Sequence, residues 1–320
     1  MSILAALRNL PGNGGSRNLG AHLDNHLRGI TIAACGTFII SFDALLVRLA
    51  ATTSWNVVFW RGLLMCLSLF IYLLVRGARR RWIPGNRREA IVTLVLVLLF
   101  GANTALFVIS VSNTLVANTV VILSSAPFFA ALFSRLFLGE HIRTRTWVAI
   151  GTAMAGVVVI FGGSIGSGTL FGDLCAIAVA VIIGTELTIL RNYPGIDRIT
   201  IICASGLVAA LVAWPLAQPL SLALPSYAAL AIMGLLQMPA AMVLVAIATR
   251  YLPSPEVALF MLIESVLGPL WVWLVVGEVP PQLTFVGGAL VLLTVALHAG
   301  LGVRESRRLT ARRELLGKEA

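Results

Sequence analysis

The stretch "LFLGEHIRTRTWVAIG" (136–151) returns 138 residues later as "LVVGEVPPQLTFVGGA" (274–289). Gly139 meets Gly277, Glu140 meets Glu278 and Thr146 meets Thr284. A second, weaker match sets "FDALLVRLA" (42–50) over "TELTILRNY" (185–193): an acid, four residues, then arginine, at an offset of 143. Loop-length drift accounts for the change of offset, and duplication of one ancestral unit is the economical explanation.

The duplicated unit is a membrane-spanning one. The chain has 320 residues, is 59% hydrophobic and 11% charged, and has a mean hydropathy of +0.97. That composition lies outside the range of soluble domains. Charge clusters and turn residues divide the apolar mass into ten stretches: 30–49, 54–75, 90–111, 115–138, 146–163, 172–191, 198–216, 226–249, 255–276 and 283–303. Each is long enough to cross a hydrocarbon core of about 30 Å as a helix. The expected fold is an all-α integral membrane protein with ten transmembrane helices, arranged as two five-helix repeats (28–164 and 165–303) between an N-terminal tail (1–27) and a basic tail (304–320). An odd number of helices per half makes the second half enter the bilayer from the opposite side. Inverted-topology repeats have two pseudo-symmetric ways of packing the same parts, with a substrate site near the midplane between them.

Orientation follows from the arginines. The net charge is +10, and the basic residues gather at Arg76, Arg79, Arg80, Arg81, Arg87 and Arg88, at Arg143 and Arg145, at Arg191 and Arg198, at Arg250, and in the tail from Arg304 to Lys318. The alternate connections "AATTS", "SVSNTLVA", "GGSIGSGTLFG" and "AQPLSLALPS" contain no Lys or Arg. The positive-inside rule then puts both termini in the cytoplasm of a multi-pass inner-membrane protein. The basic surplus reads as contact with anionic lipid at the cytoplasmic face, not with nucleic acid. The opening "MSILAALRNLPGNGGSRNLGAHLDNHLRG" is too short in its apolar part and too polar for a signal peptide, and reads as a mobile cytoplasmic tail. Cys35, Cys66, Cys175 and Cys203 form no CxxC and read as small buried apolar residues, so neither a disulfide framework nor a metal site is expected. No cofactor is expected either.

Polar residues inside such spans are the candidates for function. Glu264 stands near the middle of the ninth span, which opens on "SPE" with Ser254 placed to cap it and Pro255 in the first turn. An acid at that depth costs about 2.5–3.5 kcal/mol on insertion scales and belongs against a cavity or a partner, as a substrate or proton site. At helical spacing it shares a face with Trp271, the aromatic candidate for the cavity. Arg61 in span two and Asp43 in span one lie at similar depth, and a pair between them reads either as a lock between helices or as a gate. Glu186, the repeat partner of Asp43, reads as the inner counterpart of that gate or, preferably, as reaching the membrane interface. Asn103, Asn118, Ser125 and Gln237 are neutral polar residues whose depths converge, so they are added as substrate-binding candidates. Pro127 and Pro239 interrupt helices at mid-depth and free carbonyls there. Glu140 and Glu278, at helix exits, read as structural groups bonding loop amides.

With these residues in place, the chain resembles the ten-helix EamA branch of the drug/metabolite transporter superfamily, over nearly all of residues 28–303. The resemblance is carried by the "GE" closings at 139–140 and 277–278, by "GDLCAIAVAVIIGTE" (172–186) and by "FWRG" (59–62) with Arg61. It extends to that family's exporters of aromatic amino acids and other metabolites. Many members have Glu-Pro in span nine where this chain has Glu264-Ser265, and the kink is expected about one turn later, at Pro269. The resemblance implies a secondary transporter working by alternating access, with export the expected direction.

The residues agree with that class. No ATP-binding motif is present, so movement relies on a gradient or equilibrates passively. The expected substrate is a small organic metabolite, an amino acid or an amphipathic amine, with protons as a candidate coupling ion; the protein is expected as monomer or dimer. An uncoupled uptake carrier for a nucleoside-like metabolite is the alternative. An intramembrane enzyme is remote, since HExxH and paired acidic motifs are missing from the sequence and its histidines are few and scattered.

Overall fold

The computed structural model describes residues 15–75, 86–114, 116–161, 169–277, 279 and 282–318. The arginines at 76 and 79–81, the glycine linker at 162–168 and Glu278 lie outside these residues. Among the described residues all regular structure is helical. Nine helical segments of the described residues are long and apolar enough to span a membrane: Asn25–Ala50, Ser54–Val75, Arg87–Val111, Asn118–Phe137, Leu170–Asn192, Arg198–Leu216, Leu224–Ala248, Ser254–Val276 and Gln282–Arg304. A shorter apolar helix, Thr144–Ile160, lies between the fourth and fifth of these. Together they are spans 1 to 10 in chain order, where the hydropathy pattern places them. Helix begins at Gly15 and runs into span 1, and span 10 continues as one helix from Gln282 to Lys318.

Polar caps mark several span ends. Asn86 accepts from the Glu89 amide at 2.8 Å to start span 3, and Glu89 stands in the first turn where the helix dipole favours an acid. Thr169 accepts from the Gly172 amide at 3.2 Å for span 6, and Asp197 from the Ile199 amide at 3.3 Å for span 7. Ser254 does not cap span 9: Pro253 holds that position, and the Ser254 hydroxyl donates instead to the Leu187 carbonyl of span 6 at 3.0 Å.

The packing repeats what the sequence repeats. Span 3 packs on span 6 as span 8 packs on span 1, span 4 on span 6 as span 9 on span 1, and spans 2 and 7, 4 and 9, and 5 and 10 pack on each other. Exchanging the two five-helix halves maps this set of contacts onto itself, as a pseudo-two-fold axis between inverted repeats requires. Gly139 and Gly277 end spans 4 and 9 with φ of +64° and +82°, a left-handed turn that a Cβ would strain. Spans 4 and 9 also break at equivalent points, at Ser124–Ser125 and at Leu262–Ile263. The break in span 9 therefore stands just ahead of Glu264, and not at Pro269, which the helix Glu264–Val276 incorporates. Spans 2 and 7 cross so closely that a Cβ on Gly62 would lie 2.5 Å from the Gly206 carbonyl oxygen. Beside that crossing the Cys66 and Cys203 sulfurs are 3.8 Å apart, while Cys35 is exposed, unlike the buried residue expected.

Leu94, Leu98, Val148, Leu211, Leu236, Leu293 and Leu297 are exposed on the outer surface. A helical bundle in hydrocarbon presents such an apolar belt, because its backbone polar groups are satisfied within each helix.

Candidate functional site

Three interrupted spans put polar groups in the middle of the bundle. In span 1 the helix stops at Ile40 and resumes as Asp43–Ala50. Stopping a helix there frees carbonyls, and Gln237 takes them: its Nε2 donates to Ile39 at 3.2 Å and to Ile40 at 3.3 Å. Gln237 reaches across because it ends a π-helical segment, Met233–Gln237, in span 8 just ahead of Pro239. Trp271 of span 9 completes the joint, donating from Nε1 to Ser41 Oγ at 2.9 Å and stacking on Phe42 with ring centroids 4.7 Å apart and planes at 11°. The joint makes Asp43 the first residue of a half-helix. Glu264 holds the same position in span 9, opening Glu264–Val276. Both acids thus stand at the positive ends of helix dipoles at mid-bundle.

These two acids border one central cavity of about 210 Å³. Eight spans contribute to its wall, and spans 5 and 10 pack together outside it. Arg61 Nη1 stands 3.4 Å from Asp43 Oδ2, with both side chains largely buried. Glu264 borders the cavity within electrostatic reach of that pair. Across it, Asn103 Nδ2 donates to Glu186 Oε2 at 3.4 Å. Glu186 is 3% exposed, so it does not reach the interface as the sequence preferred. Thr104 and Ser205 add hydroxyls, and Met65, Met238, Met242, Met261, Phe100 and Phe107 supply apolar wall. Methionine adapts its shape to what it packs against, which suits a wall that must close on a ligand.

Of the sequence candidates, the structure brings Asp43, Arg61, Asn103, Glu186 and Glu264 together in this cavity. The other candidates stand elsewhere. Gln237 and Trp271 fasten the span 1 joint. Ser125 lies in the span 4 break and donates to the Ile122 carbonyl at 2.6 Å. Asn118 donates from Nδ2 to Thr114 Oγ1 at 3.2 Å, at the start of span 4. Glu140 pairs with Arg191 Nε at 3.3 Å, and among the described residues its carboxylate bonds no loop amide. The Gln237 bonds carry a prediction. Gln237→Leu strips two carbonyls of their donor and is expected to cost about 1–3 kcal/mol of stability. Thermal unfolding of the variant and the wild type in one detergent checks it.

Sequence reasoning missed two arrangements. Four of the seven methionines border the cavity, and their concentration in spans 2, 8 and 9 was the available signal. Arg198, counted only as a topology marker, is 2% exposed and bonds carbonyls of spans 6 and 8 and the connection between spans 6 and 7. A separate polar cluster lies where span 1 begins and span 10 ends: Glu256 Oε1 is 3.5 Å from His298 Nε2, with His26 and Arg145 within electrostatic reach.

Comparison with known proteins gives one family. The model of the EamA-like transporter family matches residues 27–162 and again 170–299, one match per half. The pseudopaline exporter CntI from two strains of Pseudomonas aeruginosa is 26% identical over 277 residues, covering 85% of this chain and 95% of that protein. An uncharacterized transporter of Bacillus subtilis, YdfC, is 25% identical over 175 residues, covering 52% of this chain and 57% of its own. A solved crystal structure superposes with a TM-score of 0.75 at 17% identity, over 86% of this chain and 98% of its own, which shows the shared fold.

Proposed function

The chain belongs to the EamA-like transporter family, and we propose that it exports a small amine-bearing metabolite, an amino acid or amphipathic amine, in exchange for protons. It is a multi-pass membrane transporter of a small molecule; the substrate, direction and coupling are the proposal. The cavity carries it. Among the described residues three carboxyl groups, Asp43, Glu186 and Glu264, face a single guanidinium there, and all sit among apolar side chains between the two repeats. Acid in excess of base in such a space is neutralised either by protons or by cationic groups of a ligand, because an unpaired buried charge is costly. Protons and an amine therefore compete for the same groups, which is the condition for exchange. Asp43 and Glu264 come from half-helices that end at mid-bundle, where rocking of one repeat against the other exposes them alternately. Export agrees with the name of the Pseudomonas aeruginosa relatives, the pseudopaline exporter. The charge asymmetry of the connections supports a reading with both termini in the cytoplasm of the inner membrane and anionic lipid against the arginines.

The test uses purified full-length protein in proteoliposomes loaded acid inside. Labelled lysine and diaminobutane are expected to accumulate beyond protein-free vesicles as protons leave, and to stop doing so when the gradient is collapsed. Uptake indifferent to the gradient overturns proton exchange. A cavity that binds no amine overturns the substrate class, and binding is read as a rise in melting temperature that grows with ligand concentration.

A further inference from the structure

The cavity holds more acid than one amine requires. Among the described residues Arg61 is the only basic side chain bordering it, and Asp43 already takes Arg61 at 3.4 Å. Glu264 borders the Asp43 end. Glu186 belongs to the other repeat, on span 6, and among the described residues no basic side chain pairs with it. Its Oε2 receives the Asn103 amide, but its Oε1 has no hydrogen-bond partner although the residue is 3% exposed. Buried polar atoms are nearly always bonded, so an orphaned carboxyl oxygen at a cavity wall calls for a group that the cavity receives.

Resting on the amine-transport role above, we propose that Glu186 with Asn103 forms a second ammonium-binding pole and that the substrates are compact diammonium compounds. One amine is held at Glu186, and the other at Glu264 beside the Asp43–Arg61 pair. Arg61 neutralises one of the three carboxyl groups, and two ammonium groups match the remaining two. The spacer between them lies over Met65, Phe100, Met242 and Met261, which offer it apolar contact. A volume of about 210 Å³ is below the roughly 300–1,000 Å³ of clefts for drug-sized ligands. The spacer is therefore short.

Full-length protein in nanodiscs is titrated with diaminobutane and with butylamine, which share a chain length and differ by one amine. The diamine is expected to bind at least about ten-fold more tightly, the factor a charge-assisted hydrogen bond to a buried acid supplies. Glu186→Gln is expected to remove that preference, bringing diaminobutane to within about two-fold of butylamine, with folding read separately from a single symmetric elution peak and a cooperative melt. Equal affinities in the wild type, or a preference that persists in Glu186→Gln, overturns the second pole. If Glu186→Gln does not fold, the wild-type comparison alone decides. Butylamine or lysine still exchanging for protons while the diamine shows no preference would leave amine transport standing and remove only the two-pole site. Neither amine binding nor moving would remove both.

Discussion

Glu264→Gln is expected to bring pH-driven flux in proteoliposomes down to the protein-free background while the protein still inserts and purifies as wild type. Glutamine keeps the shape and can still hydrogen-bond, but it cannot take up and release a proton. The position matters because Glu264 opens a half-helix at mid-bundle and borders the central cavity beside Asp43 and Arg61. Helix on both sides of the break packs against neighbouring spans, so the backbone has no reason to move when one oxygen becomes an amide nitrogen. Flux in Glu264→Gln at more than about half the wild-type rate would assign the coupling to Asp43 or Glu186 instead. Asp43→Asn provides the contrast: it removes the partner of a largely buried guanidinium, and should cost stability as well as flux.

The second large effect is on folding. Arg198→Met is expected to lower stability by at least about 3 kcal/mol, because each buried acceptor left without a donor costs about 1–3 kcal/mol. Arg198 Nε donates to Ala246 O at 2.7 Å, Nη1 to Pro194 O at 3.0 Å and Ile196 O at 3.4 Å, and Nη2 to Leu190 O at 2.8 Å and Thr249 Oγ1 at 3.4 Å. One side chain thus serves the last turns of two spans and the connection that follows the first of them. Arg198→Lys retains the charge but not the planar fork, and should recover only part of the loss. Arg191→Met is the control. Arg191 pairs with Glu140, both half-buried at 28% and 29% exposure, and its Nη1 donates to the Thr249 and Arg250 carbonyls at 3.3 and 3.2 Å; water reaches these groups, so their loss costs less than that of the buried Arg198 bonds. Thermal unfolding of the three variants in one detergent should rank them Arg198→Met, Arg198→Lys, Arg191→Met, the first melting lowest. An Arg198→Met variant that melts with the wild type would remove the clamp.

How much of this was legible in the chain depended on the kind of signal. The spans were, since a continuous apolar run of the right length has one stable solution in hydrocarbon. The repeat was too: Gly139 and Gly277 are needed at equivalent left-handed turns, and sequence matching finds them directly. The Asp43–Arg61 pair followed from matched depth. Depth alone could not separate Asn103, which faces the cavity, from Gln237, which faces a neighbouring backbone. Both are amides inside an oily run, and only the break in span 1 decides between them. That break has no proline to announce it, and neither does the one before Glu264. Pro269, which looked like the natural kink, is absorbed by the helix around it. Glu186 was misjudged for a related reason. Its distance along span 6 suggested the interface, while its burial depends on which face of the helix spans 3 and 4 cover.

Span 1 is jointed at Ser41–Phe42, whereas span 6, its partner in the repeat, runs unbroken from Leu170 to Asn192. In a perfectly symmetric pair the inward-facing and outward-facing forms would be related by the two-fold axis and equal in energy, and an empty carrier would divide its time evenly between them. A joint in one half without a counterpart in the other lifts that degeneracy. Each 1.4 kcal/mol of difference shifts the ratio about ten-fold, so under the alternating access proposed above the empty carrier would have a preferred waiting side even before any gradient is applied.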